Sequence, residues 1–441
     1  LEVFINGLKN YLNIIVLSYK TIKMKRLILL LITGLMLVSI PCQSVERVKV
    51  PKQPKFKVHN VFSSASLKRI DKMMEKAVKE EAIPSAVCYV EYKGKQVYYK
   101  AFGAGDREKN RALRRDAIFR NASQTKLVTT VALMTLYEEG LFSLEDPIKK
   151  YLPEFSNPVV RVSGSYEGGD LVTRPANGDI TIRQLLCHSA GLSYDPYDQD
   201  VRVICYNDTD TSVSTEEIVR RIAKLPLRHD PGKGFTYGFG YDVAGRLAEV
   251  ISGQRLDELI KDRVLKPLDM NDTYFYLPKS KANRLVPLYQ KPTREDIVEL
   301  ASDSTERFYP LAENPIYFGG GAGLCGPIKD YAHLCKMIMD GGVYQKKRIL
   351  SRKTIEQMCS DQLFGVAGDY MYGLGFEITN LEKAARTMKS PGSFCWGGYY
   401  GTEYVIDTRE DLIILFYTNK ISWYYDDVFA DFVRMVYMSL Y

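Results

Sequence analysis

The sequence predicts an α/β plus all-α protein, in which an antiparallel sheet built from both chain ends is flanked by helices and a mainly helical lobe lies between. Three observations predict it. Residues 85–103 (SAVCYVEYKGKQVYYKAFG) and 402–419 are rich in β-branched and aromatic side chains, and each is broken once by turn formers, at Lys93-Gly94 and at residues 408–411; this is the pattern of a hairpin. Within residues 181–270 apolar side chains recur at helical spacing instead: Ile218, Ile222 and Leu225 in one stretch, then Val243, Leu247, Val250 and Ile251. Finally, 441 residues exceed what one core usually supports, so two lobes are expected.

Taken from the N-terminus, Met24-Lys25-Arg26 followed by the apolar residues 27–40 and Pro41-Cys42 has the layout of a secretory signal. The segment is short for a bilayer span. Residues 1–42 are therefore expected to be a leader and signal (about 24–42), with Met24 as the functional start and an exported, periplasmic or outer-membrane-associated bacterial protein as the result. Cys42 stands where a lipoprotein would carry its membrane-anchoring lipid, although Ser39-Ile40-Pro41 departs from the usual Leu-Ala-Gly type of signal. Residues 43–60 are basic and Pro-bearing without helical period, the composition of a linker.

The folded domain is expected over 61–441, its α/β lobe at about 61–150 and 315–441 and its helical lobe at about 151–314. Leu67, Ile70, Met74, Ala77 and Val78 predict a first amphipathic helix, and residues 426–440 a last one. A cleft between two such lobes is the usual place for a small molecule.

Composition narrows the function classes. The net charge of +7 owes four of its units to the first 42 residues, where five Lys and Arg face Glu2 alone; the rest, without basic runs, gives no footprint for nucleic acid. The eight cysteines form no CxxC pair, and the histidines at 59, 188, 229 and 333 form no ligand motif, so neither a metal nor another cofactor is expected. Residues 319–323 have no following Lys-Ser/Thr and make a poor phosphate loop.

Ser123-Gln124-Thr125-Lys126 is the sole Ser-x-x-Lys of the chain. Leu127, Val131, Met134 and Leu136 continue it as an apolar helix closed by Gly140, which puts Ser123 in the first turn, where free backbone N–H groups favour negative charge. Lys126, three residues on, shares its face. An amine buried there becomes a base able to take the serine proton. The same four residues also suit an ordinary N-cap with a surface lysine, so the case needs two further segments. The first, His229 through Phe239 (HDPGKGFTYGF), delivers Tyr237 just ahead of a helix starting near Tyr241; a phenol beside a lysine can relay protons, though one tyrosine of 31 is more often a core residue. The second, Phe394-Cys395-Trp396-Gly397-Gly398-Tyr399, has glycines that let a sheet edge approach a substrate and a backbone N–H that, with that of Ser123, can bind an oxyanion.

The order Ser-x-x-Lys, Pro-Gly-x-x-Phe-x-Tyr, Trp-Gly-Gly resembles the β-lactamase-related serine hydrolases, which include class C β-lactamases, DD-peptidases and family VIII carboxylesterases. Residues 119–122 (FRNA), 144–155 (LEDPIKKYLPEF), 182–192 (IRQLLCHSAGL), 264–275 (VLKPLDMNDTYF) and 319–324 (GGGAGL) read the same way. The resemblance implies a β-lactamase/transpeptidase-like fold, Ser123 as nucleophile, Lys126 as its base or hydrogen-bond partner, Tyr237 as proton relay, and an oxyanion hole from the N–H groups of Ser123 and Tyr399. It implies no cofactor and a small-molecule acyl substrate. Two departures stand out: Phe239 occupies the place of the Asn in the Tyr-x-Asn of β-lactamases, and Trp396-Gly397-Gly398 that of Lys-Thr-Gly. Losing an amide and a cation disfavours carboxylate-bearing β-lactams and favours neutral esters. A DD-peptidase, D-aminopeptidase or β-lactamase, and a catalytically silent binder of cell-wall fragments, are the alternatives.

Overall fold

The computed structural model describes residues 63–164, 169–194, 213–290, 299–300, 310–311, 315–421 and 427–440. The described residues all belong to one compact unit, Asn60–Tyr441. The signal, linker and Cys42 expectations lie outside the described residues.

The frame of that unit is an eight-stranded sheet. The strands are β1 (Ser85–Tyr92), β2 (Lys95–Asp106), β3 (Arg111–Ala112), β4 (Met371–Tyr372), β5 (Glu377–Ile378), β6 (Phe394–Gly398), β7 (Thr402–Asp407) and β8 (Leu412–Tyr417), in the spatial order β4-β5-β6-β7-β8-β1-β2-β3. β1 joins the two chain ends, pairing antiparallel with β2 and with β8, where Val87 faces Tyr417 and Tyr92 faces Leu412. Both expected hairpins form. Lys93 and Gly94 take φ of 50° and 71°, the left-handed pair that matches the twist of adjoining strands. The second turn is capped by buried Asp407, whose carboxylate accepts from the backbone N–H groups of Arg409 and Glu410.

Because side chains alternate along a strand, the sheet has two distinct faces. Val87, Tyr89, Tyr404, Ile406, Ile413, Leu415 and Tyr417 point to the front, into the larger core. Ala86, Cys88, Val90, Val405, Leu412, Ile414 and Phe416 point to the rear. The rear is covered by α1 (Ser64–Lys79) through Ile70 and Met74, and by the last helix (Val428–Tyr437) through Phe432 and Val436. α1 starts where the Ser63 hydroxyl accepts the N–H of Ser66, an N-cap bond.

On the front lies α2 (Thr125–Glu138), buried on nearly every side from Thr125 to Met134, its threonines and Lys126 included. The middle of the chain adds α3 (Ile182–Leu186), α4 (Thr215–Ile222) and α5 (Gly240–Ser252). Val243 and Leu247 of α5 are fully buried, whereas Val250, expected on the same apolar face, is 40% exposed. Phe119–Arg120 pairs with Cys325–Gly326, which lays the glycine-rich residues 319–324 along the start of α2. Cys88, Cys187, Cys325, Cys335 and Cys395 are buried free thiols.

Candidate active site

Ser123 sits in a single 3-10 turn, Ala122–Gln124, that runs straight into α2. It is therefore one turn ahead of the α-helix proper rather than within its first turn. Ala122, just before it, has φ of 44°. A non-glycine residue in that region is strained, and such strain concentrates at functional sites. Here the strained turn is pinned from two sides. Asn121 N–H donates to the Leu324 carbonyl at 2.9 Å and Leu324 N–H to the Thr125 hydroxyl at 3.0 Å. On the other side, a Cβ on Gly398 would stand 2.4 Å from the Asn121 carbonyl oxygen, so only glycine lets β6 come this close.

Lys126, fully buried, reaches back along α2 to place Nζ 3.2 Å from Ser123 Oγ. Its second bond, at 2.8 Å, goes to the Gly321 carbonyl. Three phenol rings surround the amine, Tyr237, Tyr194 and Tyr241, with centroids at 4.8, 5.2 and 5.8 Å; ring faces favour a cation. The Tyr237 hydroxyl donates to Ser123 Oγ at 2.6 Å. One hydroxyl, one amine and one phenol from two distant stretches of chain thus share a pocket.

Tyr237 is held by His188. Thr236 N–H donates to the His188 carbonyl at 2.8 Å, Gly238 N–H donates to its Nδ1 at 3.3 Å, and the two rings lie 4.5 Å apart. An accepting Nδ1 puts the ring proton on Nε2. Burial, aided by the charge of Lys126, holds His188 well below the usual imidazole range, so it braces the loop as a neutral ring. Burial likewise pushes the Tyr194, Tyr241 and Tyr372 phenols up, with the Asp242 carboxylate adding to the effect at Tyr194.

The remaining expected residues line the approach. Trp396 is partly exposed and packs 5.4 Å from Tyr237 and 5.1 Å from Tyr372. β6 lies inside the sheet, not at its edge. Its pairing with β5 ends at Cys395, however, so among the described strands Trp396, Gly397 and Gly398 pair with β7 alone. Tyr399 follows in the turn, half exposed. Gly397 backs onto the Glu403 carboxyl, which burial raises to about 8 against the opposing pull of Lys389 and Lys383. Phe239 is buried edge-on against Tyr194 at 4.4 Å, and so packs the pocket wall.

Sequence reasoning missed Tyr194 and the Gly321 carbonyl. Residues 319–324 wall the lysine. Thr129 of α2 donates to the Gly320 carbonyl at 2.8 Å. The available signal was the density of glycine, which permits close backbone approach as readily as anion binding.

Residues 70–432 match the Beta-lactamase family model. The chain belongs to the β-lactamase family. It is a serine hydrolase of the esterase-like kind within that family, and among its relatives is an uncharacterized Mycobacterium tuberculosis protein, 30% identical over 76% of this chain and 85% of its own. Esterase EstB of Burkholderia gladioli is 29% identical over 80% of this chain and 90% of its own. The solved structure of EstCE1, described as a hydrolase with promiscuous acyltransferase activity, superposes with a TM-score of 0.72 at 26% identity and covers 85% of this chain and 98% of that one.

Proposed function

We propose that this protein cleaves small neutral esters through an acyl-enzyme on Ser123. The observation that carries the reading is the double hydrogen bond on one serine oxygen, 3.2 Å to the Lys126 amine and 2.6 Å to the Tyr237 phenol.

To attack, Ser123 must lose its proton, and the two groups in reach are Lys126 and Tyr237, which act as a coupled pair. Oγ then bonds the ester carbonyl carbon, and the negative charge moves to the carbonyl oxygen, held by the N–H groups of Ser123 and Tyr399. The proton passes through Tyr237 to the departing alcohol oxygen as the ester C–O bond breaks. Water repeats the sequence: it gives its proton to the pair, attacks the acyl carbon and frees the acid, and Ser123 regains its proton.

The ring-lined approach of Tyr194, Tyr237, Tyr372 and Trp396 supports an uncharged acyl group. Trp396 and Phe239, in place of a cation and an amide, weigh against β-lactams and D-Ala carboxylates, whose desolvated charge would lack a partner. Esterase EstB supports ester chemistry, and EstCE1, described as a hydrolase with promiscuous acyltransferase activity, supports acyl transfer from the same kind of site. Export by the signal at 24–42, with a lipid on Cys42 as the anchoring variant, belongs to the same proposal.

The test is a fluorophosphonate probe with a panel of p-nitrophenyl esters, amides and β-lactams. Labelling that disappears in Ser123→Ala, together with short-ester turnover, supports the reading. Labelled-penicillin acylation with D-Ala release and no ester turnover would overturn it in favour of a peptidase, and an unlabelled wild type in favour of a binding protein.

A further inference from the structure

Asp242 stands in the first turn of α5 with 4% of its surface exposed. It faces no Lys or Arg in an ion pair among the described residues. Three neutral donors hold its carboxylate instead: the Tyr194 hydroxyl at 2.7 Å, the Tyr317 hydroxyl at 3.1 Å and the Gly321 N–H at 3.3 Å. Burying a carboxylate is costly unless its oxygens are satisfied, and here they are satisfied by groups that converge on one place. Two of the three donors touch Lys126: the Gly321 carbonyl takes its second hydrogen bond at 2.8 Å, and the Tyr194 ring lies 5.2 Å from Nζ.

The fit leaves no slack. A Cβ at position 321 would stand 2.4 Å from the Tyr194 hydroxyl and 2.7 Å from Asp242 Oδ2, and one at position 320 would stand 2.3 Å from the Tyr241 carbonyl. The glycine-rich segment is thus pressed against α5 with the carboxylate as the clamp.

We infer that Asp242 is a positioning residue for the reaction: by gripping Gly321 and Tyr194 it fixes where the second hydrogen bond and the aromatic wall of Lys126 sit, and so aims the amine at Ser123. The inference rests on Ser123 and Lys126 acting as proposed. Releasing the clamp lets the amine drift, and misplacement of a reacting group by about 1 Å costs on the order of 10²-fold in rate.

Asp242→Asn keeps the shape and removes the charge and one acceptor. We expect kcat for a short ester, and the rate constant for fluorophosphonate labelling of Ser123, to fall about 10- to 100-fold with KM changed less than about 3-fold. Gly321→Ala should reproduce the loss by pushing on the Tyr194 hydroxyl and the Asp242 carboxylate. The double variant should be no slower than the slower single one, since both act by displacing one carbonyl. Wild-type labelling and kcat in soluble Asp242→Asn would overturn the inference, as would losses that multiply in the double variant, because a merely structural residue alters the folded fraction and not the rate per folded molecule. If Asp242→Asn fails to fold, the Tyr194→Phe/Tyr317→Phe pair carries the test by the same criteria. Turnover surviving in Ser123→Ala would instead sink the underlying reading of the site, so the two failures are distinguishable.

Discussion

The two faces of the sheet are built from the same strands in alternation, yet they differ in kind. The rear buries mainly apolar side chains such as Ile70, Met74, Val90, Ile414 and Phe432, with the Tyr437 hydroxyl donating to buried Asp407 at 2.6 Å as a polar exception. The front buries polar groups among the apolar ones: Gln124, Thr125, Lys126, Thr129, Thr130 and Asn121 are all 3% exposed or less. A domain that needed stability alone would gain by filling the front as it fills the rear, since each buried polar group must find partners to break even. The difference singles out α2 as the element on which the proposed chemistry rests.

Substitutions can break this contrast. The largest effect should come from the front: Lys126→Ala is expected to lower kcat/KM for a short ester by about 10³-fold, or roughly 4 kcal/mol of transition-state stabilisation, while thermal unfolding still shows one cooperative transition. Full turnover in that variant would end the role assigned to the lysine. On the rear, Phe432→Ala empties a fully buried site and should cost about 3–5 kcal/mol of stability, read as a lower unfolding midpoint in urea, with kcat unchanged below that midpoint. A loss of kcat per folded molecule would show that the faces are coupled.

A finer contrast lies in pH. His188 keeps its imidazole neutral in the fold, whereas in the unfolded chain it titrates near about 6.5. Its contribution is present above that value and is lost as pH falls below it, because there the unfolded chain takes up a proton that the folded one refuses. The unfolding free energy from urea titrations between pH 8 and 5 should therefore fall, by up to about 1.4 kcal/mol per pH unit for this single group, and His188→Gln should flatten that part of the slope. An unchanged slope would assign it to other groups. The smallest effect is expected at Tyr399→Phe: a residue that acts through its backbone N–H should keep ester kcat within about 2-fold, and a larger drop would give its phenol a part in the reaction.

Much of the frame could be read from the residues themselves. The β-branched and aromatic runs of 85–103 and 402–419, each broken once by turn formers, mark both hairpins, and β1 and β8 read as near-continuous apolar runs because both of their faces are buried. β4 and β5 were illegible, since two residues cannot display a period. In the site, Ser123 and Lys126 are three apart across a 3-10 turn and the start of α2, so local geometry alone brings them together. Tyr237 needed its loop motif, as nothing intrinsic separates it from the other tyrosines. Asp242 and Gly321 stayed hidden because their sequence neighbourhoods have plainer explanations: an acidic residue suits the start of any helix, and a run of glycines suits any turn. Their partnership is a fact of tertiary packing, 79 residues apart along the chain.

The pairing of β1 with β8 also sets a schedule. β1 is complete at Tyr92, but the strand that lies on its other side begins at Leu412, and at roughly 10 residues per second a ribosome needs about half a minute to supply it. Throughout that interval the first hairpin has one flank unsatisfied and both its greasy sides bare, the state most prone to pairing with a neighbouring nascent chain. Closure of the sheet is accordingly among the last events in the making of this molecule, and its yield should depend on whatever shields that hairpin while it waits.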